Sequence, residues 1–321
     1  MKRSSASIKN IKVEPNIYSA ESWEQAKKLA DFFSPIPNVI SYCVSTLRNS
    51  KPTKSSRRIS TVLRPIDKIS TIKNALYFGA ATLFPDQLLV SDETTSKELV
   101  TILQPNLYAA LLTATYMLRR TKKLAEIHGC NHNNEEEFLQ YMELGYILGD
   151  AIPSLGSSDG VILGALMQTA LSAFMLKDSK KFENYRKSHK YYLDLNYEHK
   201  TFGCDRTQIG AYLVRMFGYS TQSLYDIRES LRGNSIGVSQ KALTLETWTK
   251  CVPLIEQFAN GKEEHVIFTD LALGVNSPDS IKEMCSNIMN SGTSFQWMKK
   301  GYVPSFKNPL KDMEDLENKN P

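Results

Sequence analysis

Residues 198–219 read Glu198-His199-Lys200-Thr201-Phe202-Gly203-Cys204-Asp205-Arg206-Thr207-Gln208-Ile209-Gly210-Ala211-Tyr212-Leu213-Val214-Arg215-Met216-Phe217-Gly218-Tyr219. From Asp205 to Phe217 the apolar residues Ile209, Tyr212, Leu213 and Met216 recur at helical spacing, which predicts a helix with one inward face. Gly218 follows as the glycine expected just beyond a helix end, where a left-handed backbone is needed.

Working outward, the same period recurs along the chain. Gly160 to Leu176 is the most apolar segment, with Val161, Leu163, Leu166, Ala170 and Phe174 leaving almost no polar face. Such a helix belongs at the centre of a bundle. Before it, Glu135 to Ile152 is a strong helical stretch. Its Gly145 and Gly149 share a face with Tyr141 and Leu148, which predicts close helix packing. Leu99 to Ile127 reads as one or two long helices with Pro105 near a start. Val39 to Leu47, Ile59 to Ile69 and Ser19 to Phe33 add three more, and in the last of these Ser22 and Gln25 resemble a capping box. Lys181 to Asp194 is amphipathic and reads as surface-lying, and Ser220 to Leu231 is a further helical stretch. Leu243 to Phe258, Glu264 to Leu273 and Ser280 to Met289 continue the pattern. There is no alternating strand run, so the expected fold class is all-α: a multi-helix bundle with a helical C-terminal extension.

The stretch quoted above, together with Leu163-Gly164-Ala165-Leu166-Met167-Gln168, resembles the HDOD family, the HD-related output domains of bacterial signalling proteins. Those carry G-L-L-H-D-I-G and E-x-x-x-F-G-x-D-H-x-x-V-G-A-x-L-x-x-x-W-G. Gly164, Glu198, Phe202, Gly203, Asp205, Gly210, Ala211, Leu213 and Gly218 fall in register. Ser34-Pro35-Ile36-Pro37 resembles the family's proline-rich opening, whereas an expected asparagine-serine pair is replaced by Tyr77-Phe78-Gly79-Ala80. The resemblance implies a division into a tail with lead-in helix (1–31), an HDOD-like domain (32–233), a C-terminal extension (234–307) and an acidic tail (308–321).

What the resemblance implies chemically is mostly negative. Catalytic HD phosphohydrolases hold a metal with histidines and an adjacent His-Asp pair, so that bound water can attack a phosphoester. Met167 and Gln168 stand at that pair, and a thioether and an amide are poor ligands for a hard cation. Arg206 stands where a later histidine belongs, and the preceding helix has no histidine near Tyr141 to Glu143. No metal, cofactor or catalytic residue is expected. His128-Gly129-Cys130-Asn131-His132 has too few ligands for a closed zinc site and reads as a polar connector. His189, His199 and His265 read as exposed. Gly156-Ser157-Ser158-Asp159-Gly160 reads as a loop whose Ser158 or Asp159 caps the next helix, and Glu135-Glu136-Glu137 as dipole-matching charge at a helix start. The nucleophile-elbow, P-loop and dinucleotide-binding motifs are absent.

Composition narrows the class further. The 321 residues are 41% hydrophobic and 23% charged, which fits an ordinary folded protein. No apolar run reaches transmembrane length. The first residues lack a signal-peptide core, and five widely spaced cysteines form no disulfide framework, so the expectation is a reduced, cytoplasmic protein. The net charge of +5 is uneven: residues 1–130 hold 19 Lys and Arg against 10 Asp and Glu, and residues 131–321 hold 20 against 24. Arg48, Lys51, Lys54, Arg57 and Arg58 make a candidate surface for an anionic partner, and Arg119, Arg120, Lys122 and Lys123 a second basic run. The plainer reading is solvated helix ends.

The expected function is a non-catalytic regulator or adaptor of bacterial signal transduction acting through protein–protein contacts, with Trp248, Trp297 and Tyr302 of the extension as exposed anchors. The alternative is a nucleic-acid or cyclic-dinucleotide binder using the basic N-terminal half.

Overall fold

A computed structural model describes residues 19–49, 56–88, 94–130, 135–188, 194–219, 251–261, 266, 268, 273–274 and 276–299. Twelve α-helices occur among these, with short 3₁₀ turns and no strand. They are α1 (Ala20–Ala30), α2 (Asn38–Arg48), α3 (Ser56–Asp67), α4 (Ser70–Leu83), α5 (Ser96–Ile127), α6 (Glu135–Ala151), α7 (Ser157–Lys177), α8 (Ser179–Ser188), α9 (Leu195–Phe202), α10 (Arg206–Met216), α11 (251–259) and α12 (Pro278–Ser291), and a 3₁₀ turn, Ser294–Lys299, follows. The all-α expectation holds.

The predicted central helix is central. Every residue of α7 from Gly160 to Leu176 is buried; by length and composition alone the helix could cross a membrane, and 94% of its most apolar stretch is buried inside the molecule. It packs on α5, α6 and α10. The glycines explain how closely α6 approaches it. A methyl group at Gly164 would run into the Tyr141 carbonyl, and one at Gly145 into the Gly160 carbonyl. These backbones therefore touch where any side chain would push the helices apart.

Local signals set the helix ends. Ser19, not Ser22, caps α1: its hydroxyl accepts from the Ser22 amide at 3.2 Å. Ser22 lies inside the helix, buried, and accepts from the Gln208 side chain at 3.0 Å. Gly156 is the N-cap of α7 and no side chain caps it, so neither Ser158 nor Asp159 has that role. Long α5 is two helices joined at a kink, with Gln104 at φ 63° before Pro105, because a residue preceding proline is driven out of the helical region. Thr95 and Glu98 close a capping box at its start.

One hydrophobic core runs through the molecule. Ala26 and Leu29 of the lead-in helix join it, and so do Ile255, Phe258, Ile281 and Trp297 of the C-terminal extension. Trp297 was expected to be exposed. It is instead 4% exposed, with its ring seated over Gly79 of α4, where an added Cβ would lie 2.8 Å from the ring. The glycine of Tyr77-Phe78-Gly79-Ala80, where the asparagine-serine pair is missing, thus receives the indole. Trp248 and Tyr302 lie outside the described residues, as do His132, His189, His265 and the segments 220–231 and 308–321.

Candidate functional site

The vacant-ligand residues lie on two helices that pack together. Met167 and Gln168 are buried on α7, and Arg206 opens α10, buried, after its N-cap Asp205. The turn before α10 follows from the sequence 202–205. Phe202 ends α9 and stacks on Phe174 at 4.2 Å. Gly203 then reverses the chain at φ 83°, where a side chain would be strained. Asp205 accepts from the Thr207 and Gln208 amides at 2.9 and 3.1 Å and from the Thr207 hydroxyl. Burial pushes its carboxyl above the ordinary value and outweighs those donors, which pull it down.

Arg206 is the hub of a buried ionic network. Its Nε donates to Glu198 Oε1 at 2.5 Å, and its backbone amide to Glu198 Oε2 at 2.8 Å. Nη1 donates to Glu256 Oε1 at 2.8 Å, and Nη2 to the Tyr185 hydroxyl at 2.6 Å. Tyr185 in turn donates to Glu198 Oε1 at 2.6 Å, and Tyr141 to Glu256 Oε2 at 3.0 Å. Five helices, α6, α8, α9, α10 and α11, each contribute one residue. Glu198 is wholly buried and Glu256 is 7% exposed. Burial would drive the proton off the guanidinium, but Glu198, Tyr185 and Glu256 reverse the balance and hold Arg206 well above its ordinary value. Burial raises the Tyr185 and Tyr141 hydroxyls, so both remain protonated donors.

A hydrolytic metal does not fit these residues. Arg206, which the family resemblance aligns with a metal-binding histidine, is a guanidinium whose donors engage the carboxylates of Glu198 and Glu256. Among the described residues no group of three His, Cys, Asp or Glu is placed to hold an ion. Gln168 is 1% exposed, and neither its amide oxygen nor its nitrogen meets a hydrogen-bond partner. It stands apart from the Arg206 network.

The other motif residues act on backbone and core. Glu198 holds Arg206, Gly164 admits Tyr141, and Gly203 makes the turn. Gly218, at φ 81°, sits against the Ser41 carbonyl. Ala211 is buried, and a methyl group at Gly210 would meet nothing within 4 Å, so no contact explains that glycine. His199, expected to be exposed, is half-buried, with its Nε2 buried and unpartnered.

The expected anionic-partner surface is redrawn. Arg48 is not free: it pairs with Asp159 at 2.8 Å and lies 5.1 Å above the Tyr219 ring. Lys51 and Lys54 lie outside the described residues. Arg57 and Arg58 are exposed on α3, and so are Arg64 and Lys68, which the sequence reading did not single out. In the second basic run, Arg119 donates to the Thr71 carbonyl at 2.8 Å and Arg120 to that of Ser34 at 2.8 Å. Lys122 pairs with Glu135 at 2.8 Å. The other two of the expected dipole charges also bridge elements, Glu136 to Lys299 and Glu137 to Arg186.

Tyr185 and Glu256 were missed as site residues. Tyr185 sits in an amphipathic helix read only as surface-lying, and Glu256 lies 50 residues from Arg206, outside the motif. No spacing rule links them.

No family model matches the sequence, and no curated protein matches it. Two solved structures share its fold. One is a protein from Shewanella amazonensis SB2B described as a "Putative phosphohydrolase", with a TM-score of 0.54 and 11% identity over 89% of this chain and 98% of that one. The other is an HDOD domain protein with unknown function from Geobacter sulfurreducens, with a TM-score of 0.50 and 11% identity over 93% and 95%. The fold of this chain is HDOD-like.

Proposed function

We propose that this protein is a non-catalytic regulator that works by protein–protein contact on an HDOD-like scaffold. The observation that carries the reading is Arg206. A cation is built into the position of a metal ligand and neutralised there by Glu198 and Glu256. Hydrolysis of a phosphoester by the HD route needs a polarised water, and Met167, Gln168 and Arg206 offer no ligand set for the ion that would polarise it. A scaffold with this chemistry removed keeps the use that helical bundles share, presenting shaped and charged faces to other proteins. The second reading, a nucleic-acid binder, has less support, because Arg48, Arg119, Arg120 and Lys122 are engaged within the molecule.

Two measurements on the full chain test the reading together. Calorimetric titration with Mg²⁺, Mn²⁺, Fe²⁺ and Zn²⁺ is expected to show no stoichiometric site. Cross-linking in the native cell, followed by capture and mass spectrometry, is expected to return one signalling protein at fixed ratio. A stoichiometric metal site that disappears in Glu198→Gln, or capture of the chain alone, would overturn it.

A further inference from the structure

Helix α3 is strongly two-faced. Val62, Leu63 and Ile66 are buried, and Ile59 packs partly against the core. At 100° per residue, Arg57, Thr61, Arg64 and the following Lys68 fall on one stripe opposite them, with Arg58 beside it. All five are exposed. No carboxylate is paired with the four cations among the described residues. Arg57 and Arg64 lie about 10 Å apart along the axis.

The sequence holds a complement. Residues 312–317 read Asp-Met-Glu-Asp-Leu-Glu, four carboxylates in six positions. The described chain ends at Lys299, which pairs with Glu136 of α6, two residues after Trp297, which is seated on α4, the helix that adjoins α3. The twelve residues 300–311 can span about 40 Å, and α3 is about 18 Å long. The tether is thus about twice as long as the helix, and a segment held on such a short tether has an effective concentration in the millimolar range.

We propose that the exposed basic face of α3, formed by Arg57, Arg58, Arg64 and Lys68, is a docking surface for the acidic run 312–317 of this same chain. Three guanidiniums suit carboxylates through paired hydrogen bonds. A nucleic acid fits less well. Among the described residues the other arginines of the N-terminal half, Arg48, Arg119 and Arg120, are engaged inside the molecule, and no aromatic residue interleaves the cations of 57–68 for base stacking. The proposal is independent of whether the protein is an enzyme.

The test uses the full chain and a fluorescein-labelled hexaglutamate peptide. In a variant carrying Asp312→Asn, Glu314→Gln, Asp315→Asn and Glu317→Gln, the peptide is expected to bind several-fold tighter than to the parent at low salt. The gain should vanish at 1 M salt, where the screening length falls to about 3 Å. It should also vanish when Arg57→Glu, Arg58→Glu, Arg64→Glu and Lys68→Glu are added, with circular dichroism unchanged. Zero-length carbodiimide cross-linking of the parent is expected to join Lys68 to a carboxylate within 312–317. Equal peptide affinity in parent and tail variant, or no such cross-link, overturns the proposal. So does a labelled DNA oligonucleotide binding through the α3 cations where the peptide does not.

Discussion

Replacing Arg206 by methionine isolates the consequences of the buried network. The change keeps much of the side chain's length and removes its charge. It deletes the bonds at 2.5 Å to Glu198, 2.8 Å to Glu256 and 2.6 Å to Tyr185. Glu198 keeps the residue-206 amide and the Tyr185 hydroxyl, and Glu256 keeps Tyr141. Both carboxylates remain out of water, now with no cation between them. Removing one partner of a buried pair costs about 3–5 kcal/mol, a large share of the 5–15 kcal/mol typical of a whole domain. Glu256→Gln should cost less, because Arg206 and Glu198 still neutralise each other. The combination of Arg206→Met with Glu198→Gln and Glu256→Gln should recover part of the loss, because no buried charge is then left unpaired. Urea unfolding followed by circular dichroism at 222 nm measures all three. A neutral Arg206→Met, or a triple variant worse than the single, would refute the account of Arg206 as the neutralising hub.

Other consequences are open to similar measurement. Cys43, Cys204, Cys251 and Cys285 are buried, and burial pushes their thiols up to about 12; a thiol reagent at pH 8 should therefore titrate Cys130 alone in the folded protein and all five after denaturation. Trp297→Ala empties the space above Gly79 and should cost about 3–5 kcal/mol, and Gly79→Val should loosen the same contact from the other side; both are read by the unfolding midpoint. The Asp205 carboxyl is raised by burial, so the folded protein binds its proton more tightly than the unfolded chain does. Relative to Asp205→Asn, the parent should gain stability as pH falls from that raised value toward the ordinary aspartate range, and thermal melts across pH 4–7 showing the opposite trend would contradict this.

The parts legible in the sequence were those set by local rules. The apolar run of α7 could only be central, and Gly145 and Gly149 announced the close packing of α6, whereas the contact at Gly164 was read only as a motif position. Gly218 marked the end of α10 through capping chemistry, and Asp205, read as the first helical residue, proved to be its N-cap. That Met167, Gln168 and Arg206 share one region was legible only through the family resemblance, which places them on the two helices that pack together. What Arg206 does was not, because its partners Tyr185 and Glu256 come from helices whose placement depends on the whole packing. The same limit explains Trp297 and Arg48. An indole in a polar segment and an arginine in a basic cluster look exposed until a glycine on α4 and Asp159 on α7 are brought beside them. Ser22 was misplaced as a cap because Ser19, three residues earlier, has the same chemistry.

The most direct test of the central claim, that this HDOD-like scaffold has no hydrolytic centre, is a turnover assay. Purified full-length protein, supplied in turn with Mg²⁺, Mn²⁺ and Fe²⁺, is offered phosphomonoesters, phosphodiesters and cyclic dinucleotides. The account predicts no turnover above the metal-only blank, for the parent and equally for Met167→His with Gln168→Asp, because Arg206 still occupies the remaining ligand position. Metal-dependent turnover that is lost in Glu198→Gln or Arg206→Met would contradict it.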